Sequence, residues 1–489
     1  MVHTNIKKNT IFNTIKTLLS IVFPLITFPY ISRVLLAENV GKINFGLSIV
    51  SYFTLIATLG ITTYAIRECS AVKDDQFKLS ITASQIFTIN VITTVIAYVA
   101  LSLTLVFYHR LDDYRTLIII QSLTIVATTV GADWLNSAME DFRYITIRTA
   151  FFQLLSLILM FIFIHKPEDY IKYAAISLLS SAGASISNIW YRRRYCEVKF
   201  IWDVRNGIDW KRHIMPITYM FVMILAQTIF NSVDSTMLGL IHGDREVGIY
   251  SAAHKIMNII NQVVASLVWV IMPRMSSYFV DSNYEEINKL LRKVLSFYIT
   301  LGLPCAIGGI MISDDIILVI FGSDFGDASS VLQVMMLGFV FSLYGGNFLG
   351  NTILLPSKKE KYYMIACCVM AAFNVIANYI LIPRFRARGA AVTTAICSLL
   401  MLIMLELKKD KKIHIKNLSE IFVPPIIGCV LIVGICILSK DIQSLWYRML
   451  ISIGASIIVY FVIQIILKNS IVLENVKNIR LLLKKVKAK

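Results

Sequence analysis

Fourteen stretches of about 20 residues, each apolar enough to cross a bilayer as a helix, run through this chain and leave little room for anything else. They cover approximately 10–35, 43–65, 80–107, 115–138, 143–164, 169–190, 214–241, 246–272, 291–313, 328–354, 362–382, 388–407, 420–439 and 445–467. Hydrocarbon offers no hydrogen-bond partners, so spans of this length must pair their own backbone groups and form helices. A composition 57% hydrophobic and 16% charged, with a mean hydropathy of +0.71, agrees, because a soluble domain carries about a quarter charged residues. The longest polar interval, 191–213, is too short for a soluble domain. The expected fold is an all-α integral membrane protein with about 14 transmembrane helices.

An even number of spans puts both termini on one side. Lys and Arg favour cytoplasmic loops, and with the termini inside, the inner segments carry more than twice as many as the outer ones. Both termini are therefore expected in the cytoplasm. The same asymmetry accounts for the net charge of +17 without a nucleic-acid partner: YRRR at 191, KKDKK at 408 and KKVKAK at 484 would lie against an anionic inner leaflet. In the tail, Val472, Val476, Ile479, Leu483 and Val486 share one helical face, as in an interfacial helix. The N-terminus starts like a signal peptide, but its apolar run is too long and lacks a small-x-small site, which points to a retained first helix. The eight cysteines have neither metal-ligand nor disulfide-framework spacing and read as small core residues.

Sliding the chain on itself by 207 residues places NVGKINFGLSIV (39–50) on EVGIYSAAHKIM (246–257) and carries Arg67 onto Arg274. At a slightly larger offset FIFIHK (161–166) meets YILIPR (379–384). Internal duplication is common in transporters. The expected organisation is an N-terminal six-helix bundle (1–190), a cytoplasmic linker (191–213), a pseudo-symmetric second six-helix bundle (214–407), two additional transmembrane helices (408–467) and a basic cytoplasmic tail (468–489).

A charge embedded at mid-helix costs about 2.5–3.5 kcal/mol and therefore faces a partner or a wet cavity. Asp234, in TIFNSVDSTMLG, precedes its outer turn by ten residues and Lys255 follows it by eleven, so the two reach similar depth. Asp133 and Arg148 flank an inner turn in the same way. Each pair has two readings: a structural bridge, or a coupling element in which a carboxylate takes up a proton or a cation engages phosphate. Lys16 reads as a snorkelling residue and His254 as a packing histidine. Pro24 and Pro29 are expected to bend the first span. The GNFLG at 346–350 reads as close packing, and embedded amides such as Asn90, Gln121, Asn347, Asn374 and Asn378 read as interhelical glue or as a sugar-accepting lining. No GxxxxGK[ST], GxGxxG or HExxH occurs, so no cofactor is expected.

The stretches NTIFNTIKTLLSIVFPLITFPYISRVLLAENVGKINFGLSIVSYFTLIATLGITTYAIREC and DSTMLGLIHGDREVGIYSAAHKIMNIINQ resemble polysaccharide flippases of the Wzx type, within the multidrug/oligosaccharidyl-lipid/polysaccharide exporter superfamily. The resemblance implies two bundles around a cavity and alternating access that moves an undecaprenyl-diphosphate-linked glycan between leaflets of the bacterial cytoplasmic membrane, for O-antigen, capsule or similar surface polysaccharide. It implies membrane lipids as partners, with a polysaccharide polymerase and a chain-length regulator. It makes Arg33, Arg67, Arg148 and Arg274, with Lys255, the candidates for holding diphosphate, which a planar guanidinium grips bidentately. Asp133 and Asp234 are the ion-pair or coupling candidates. The rivals are a multidrug exporter or lipid II flippase of the same superfamily, and a membrane polymerase or glycosyltransferase using the acidic loop of Asp314, Asp315, Asp324 and Asp327. The exporter reading is weakened by the lack of an acid in the first span, and the enzyme reading by outer loops too short for an active site.

Overall fold

The computed structural model describes residues 6–204, 207–469, 471–474 and 477, so most of the expected tail helix lies outside the described residues. Among the described residues there is no strand. The helices are α1 (Ile6–Thr58), α2 (Ile61–Ala71), α3 (Gln76–Phe107), α4 (Arg115–Gly131), α5 (Trp134–Ala138), α6 (Phe142–Phe163), α7 (Tyr170–Leu178), α8 (Ala184–Tyr191), α9 (Trp210–His242), α10 (Asp244–Val280), α11 (Tyr284–Met311), α12 (Ser313–Ile320), α13 (Ala328–Ser342), α14 (Glu360–Glu406), α15 (Leu418–Leu438) and α16 (Leu445–Ile466).

Among the described residues ten helices are long and apolar enough to cross a membrane, not fourteen. Part of the difference is fusion: Thr14–Ala71 and Glu360–Glu406 each run over two of the expected spans. Part is interruption: the span at 169–190 is divided by a π-helical turn, Leu179–Gly183, into α7 and α8. Apolar side chains on these helices point outward at helical spacing, as in Val95, Val99 and Leu103 of α3 or Phe151, Leu154 and Ile158 of α6. Such faces are stable against lipid and not against water. The chain is a multi-pass membrane protein.

The chain divides into two compact units, Met1–Gly248 and Ile249–Lys489. In the first, α1 packs on α3, α4, α6 and α9. One end of this unit is closed by an apolar core of Ile61, Tyr64, Ala65, Ile86, Trp134 and Leu135, onto which Cys196, Ile208 and Ile217 fold. The connection after α8 is thus strapped down: Lys199 N donates to Ser84 Oγ at 3.1 Å and Ile201 N to Thr88 Oγ1 at 3.0 Å, an extended chain matched to one face of α3. In the second unit the core gathers Val294, Leu295, Tyr298, Phe339, Phe348 and Leu405. Here α15 packs on α11 and α16, and Tyr460 donates to the Thr300 carbonyl at 2.7 Å.

The break in the first long helix falls at Leu36 (φ 63, ψ 171), not at Pro24 or Pro29, both of which stay inside the helix. Gly243, 207 residues later, has nearly the same backbone (φ 85, ψ −175). The 207-residue offset recurs in the packing. A Cβ on Gly41 would lie 1.8 Å from the Asp244 carbonyl oxygen, and one on Gly248 would lie 2.0 Å from that of Ala37. The offset carries the first contact onto the second with partners exchanged. The 346–350 stretch belongs to a π-helical segment, Leu343–Leu354, in which Gly345 meets Leu402 and Gly350 meets the Tyr363 ring. The cysteines are free, and Cys305 is exposed and not a core residue.

Candidate functional site

The densest embedded charge in the first unit lies where α4, α5, α6 and α8 meet. Ala132 ends α4 in the left-handed region (φ 50), which turns the chain sharply and sets Asp133 at the start of α5. Arg148, seven residues into α6, donates from Nη1 to Asp133 Oδ1 at 3.0 Å, and Ser185 of α8 donates to Asp133 Oδ2 at 2.8 Å. The Arg148 side chain is only 6% exposed, whereas that of Asp133 is 37% exposed. Its Nε is buried without a hydrogen-bond partner. Lys16 of α1 lies within Coulombic range of both Arg148 and Asp133. Arg192 lies within Coulombic range of Asp133 as well, so cations outnumber this carboxylate.

An aromatic stack holds the guanidinium. Arg148 lies 5.2 Å from the Tyr144 ring centroid, one helical turn away on α6. Tyr144 stacks on Tyr191 at 3.4 Å and 3°, and Arg194 lies 5.1 Å from the Tyr191 centroid. Below the stack, Asp141 accepts from Tyr191 Oη and Tyr195 Oη, both at 2.7 Å, and from Tyr144 N at 3.1 Å. Burial opposes ionisation of Asp141, but these three donors hold its carboxyl below the usual carboxylate range. The Tyr144–Arg148, Asp141–Tyr144 and Tyr191–Arg194 spacings are local in sequence, whereas the meeting of Asp141 and Ser185 with the other helices is not.

Arg67 is exposed, bonded to Glu68 at 3.3 Å and lying over Tyr64, while Glu68 also takes Arg212 at 3.1 Å. Arg33 and Arg274 are exposed and Lys255 is half-buried. Asp234 is buried on α9 in the first unit, within Coulombic range of Tyr52, and Lys255 belongs to the second unit. Around Asp234 the α1–α9 contact is a ladder of hydroxyls: Ser51 Oγ to Ser232 Oγ at 2.9 Å, Tyr52 Oη to Thr236 Oγ1 at 3.1 Å, and Thr236 Oγ1 to Ser48 Oγ at 3.0 Å. Some embedded amides bond between helices, Asn90 to the Ala57 carbonyl at 2.9 Å and Gln121 to that of Ile43 at 3.0 Å, and others within one, as Asn378 does to Asn374 at 3.1 Å. Asp315 is occupied by Arg448 through two nitrogens, and the described residues contain no group of metal-ligating side chains.

Comparison with known proteins gives these features a context. The family model described as "Polysaccharide biosynthesis protein" matches residues 6–279, and that described as "Lipid II flippase MurJ" matches 191–456. The chain is 24% identical over 401 residues to the capsular polysaccharide biosynthesis protein CapF of Staphylococcus aureus, covering 81% of this chain and 97% of that one. It is 20% identical over 391 residues to a putative O-antigen transporter of Escherichia coli (strain K12), covering 80% and 93%. Among solved structures, lipid II flippase MurJ in an inward closed conformation superposes with a TM-score of 0.74 at 17% identity, over 94% of this chain and 99% of that chain. An inward-facing multidrug resistance MATE family transporter gives a TM-score of 0.58 at 14% identity, over 79% and 93%. The fold is that of MurJ.

Proposed function

We propose that this chain, which belongs to the polysaccharide biosynthesis protein family, is a flippase that carries lipid-linked oligosaccharide repeat units across the membrane for surface polysaccharide assembly. The capsule and O-antigen relatives, matched over nearly their whole length, support the substrate class. The finer reading is that the lipid is undecaprenyl diphosphate, that transport runs from the inner to the outer leaflet of a bacterial cytoplasmic membrane by alternating access, and that both termini are cytoplasmic. A polymerase and a chain-length regulator would receive the product. The chain transports and catalyses no covalent step.

The observation that carries the reading is Arg148. A guanidinium buried in a membrane helix, paired on one nitrogen, stacked on an aromatic ring and left with an unpartnered Nε, has a donor available for a phosphate oxygen. Lys16 adds a second cation beside it, and Asp133 offsets their charge when substrate is absent. Arg33, Arg67, Lys255 and Arg274 complete the set of proposed diphosphate contacts, and Asp234 is the proposed coupling carboxylate of the second repeat. The test is translocation of a labelled polyprenyl-diphosphate oligosaccharide in proteoliposomes. Arg148→Gln should slow it by about 10- to 100-fold, the loss of one or two charge-assisted hydrogen bonds, with protein level unchanged. Wild-type protein that moves no such lipid, with or without a pH gradient, would end the flippase reading.

A second reading, a lipid II flippase, is favoured by the family match over 191–456. The two differ in the glycan and not in the diphosphate. Competition between lipid II and a repeat-unit lipid in the same vesicles separates them.

A further inference from the structure

The first unit also carries a cleft with two chemically different halves, one of whose residues, Arg192, lies within Coulombic range of Asp133. Between α3 and α4 runs an apolar groove of about 660 Å³, lined by residues that include Val91, Val95, Val99 and Leu103. A second hollow of about 400 Å³ continues it and shares Tyr98, Ser102 and Val106. The polar atoms on its floor are already satisfied: Thr94 Oγ1 pairs with Thr129 Oγ1 at 2.8 Å, and Tyr98 Oη donates to the Ser122 carbonyl at 2.7 Å. The groove thus presents hydrocarbon to hydrocarbon. At its far end Arg115 is committed to the Leu105 carbonyl and to Asp112, both at 3.0 Å, and offers no net charge.

The near end is different. Val130, which lines the groove, gives its carbonyl to Arg192 Nη1 at 2.7 Å, and the Arg192 guanidinium lies 5.0 Å from the centroid of Phe87. Arg192 then lines a polar recess of about 560 Å³ together with Arg193, Glu197 and Lys199. Three cations against one carboxylate leave it positive. Arg192 is buried, while Arg193 and Lys199 are exposed, and the Lys199–Glu197 pair at 2.9 Å is a surface pair that an incoming anion displaces at little cost. The recess is preformed, because Glu197 O, Lys199 N and Ile201 N are tied to Ser80, Ser84 and Thr88 of α3.

We infer that this cleft is a binding site for an anionic glycerophospholipid, with its phosphate in the Arg192–Arg193–Lys199 recess and an acyl chain along the α3–α4 groove. Charge complementarity selects the headgroup, as in basic pockets at the ends of transmembrane helices. The lateral opening of the groove, flanked by exposed Val95, Val99, Leu103 and Phe107, gives access from bulk lipid, so by mass action the abundant phospholipid occupies it in preference to a scarce carrier lipid. The site is separate from the substrate reading and holds whether or not the chain transports oligosaccharide.

The experiment is native mass spectrometry of the full chain released from nanodiscs containing equal phosphatidylglycerol and phosphatidylcholine. Wild type should retain phosphatidylglycerol over phosphatidylcholine by at least about fivefold, the scale set by one or two basic residues at an anionic surface. Arg193→Glu with Lys199→Glu should bring that ratio near one, and Ser102→Trp, which fills the groove, should lower total retained phospholipid while leaving the ratio. If the double variant fails to fold, Arg193→Gln alone should still reduce the preference. An unchanged ratio in the charge variants overturns the headgroup assignment, and unchanged retention in Ser102→Trp overturns the groove. Addition of a polyprenyl phosphate at equal concentration should not displace phosphatidylglycerol; displacement assigns the cleft to the carrier lipid instead. Inorganic phosphate should leave retention unaltered, and its competition would reduce the site to a headgroup pocket.

Discussion

Leu36 and Gly243, 207 residues apart, hold the same unusual backbone, φ 63 and ψ 171 in one, φ 85 and ψ −175 in the other. This region is open to glycine and strained for any residue with a Cβ, by about 1–3 kcal/mol. Leu36 is 41% exposed, so little packing is lost by shortening it. Leu36→Gly should therefore raise the unfolding temperature of the purified protein. Gly243→Ala should lower it, although a Cβ there would touch nothing within 4 Å, because the cost is conformational and not steric. Thermal unfolding in detergent measures both, and a destabilised Leu36→Gly would mean that the side chain and not the backbone matters at this turn.

The Arg148–Asp133 pair separates stability from transport. Removing Asp133 leaves a buried guanidinium with one fewer acceptor, while replacing both partners by apolar residues removes the uncompensated charge. Asp133→Ala should destabilise by about 2–3 kcal/mol, at or below the range for breaking a buried pair because Asp133 is partly exposed. Asp133→Leu with Arg148→Met should recover most of that loss yet leave translocation as low as Arg148→Gln. A double variant that transports normally would make the pair a packing device.

The apolar spans were legible in sequence because bilayer thickness imposes a length, and the 207-residue offset was legible because it carries Gly41 onto Gly248, both of which must be small where backbones meet. Counting residues to the shared turn was enough to bring Asp133 and Arg148 together. Lys16 escaped because the rotation of α1 against α6 is set by packing along their whole length, not by neighbours in sequence. The break at Leu36 escaped because proline is the usual mark of a bend, and a leucine in a glycine conformation leaves no trace in composition. Among the described residues ten helices rather than fourteen stand out because two long helices each run over two expected spans and the 169–190 span contains a π turn, neither of which hydropathy registers.

Asp141 links the aromatic stack to pH. Its carboxyl is held below the ordinary range of about 3.9, so its contribution to stability is fully present above that value and is lost as pH falls through the lowered one. Unfolding temperature should therefore drop on acidification below about pH 4. Tyr191→Phe with Tyr195→Phe removes two of the three donors, which should lower stability at pH 7 by about 1–2 kcal/mol after discounting for partial exposure and flatten the acid dependence. Unfolding followed from pH 7 to pH 3 decides it; an unchanged acid slope in the double variant would assign the dependence to other carboxylates.

Arg448 fastens the last two helices through Asp315. Its Nε donates to both carboxylate oxygens at 3.0 and 2.9 Å and its Nη2 to Oδ1 at 2.5 Å, with the Asp315 side chain 9% exposed. The fork geometry is specific to arginine; a lysine would offer a single point charge. Ile432, Cys436 and Tyr460 cluster with Ile312 nearby, so the ion pair and this small core hold α15 and α16 to the rest of the second unit. Arg448→Ala should cost about 3 kcal/mol by leaving Asp315 buried and unpaired, and Arg448→Lys should recover only part of it. Limited proteolysis between α14 and α15, in the exposed segment around Lys411 and Lys412, should accelerate in step with that loss. Asp315→Asn keeps a neutral acceptor for Arg448 and should fall between the two. If all three variants unfold and cleave like wild type, α15 and α16 are held by their apolar contacts alone.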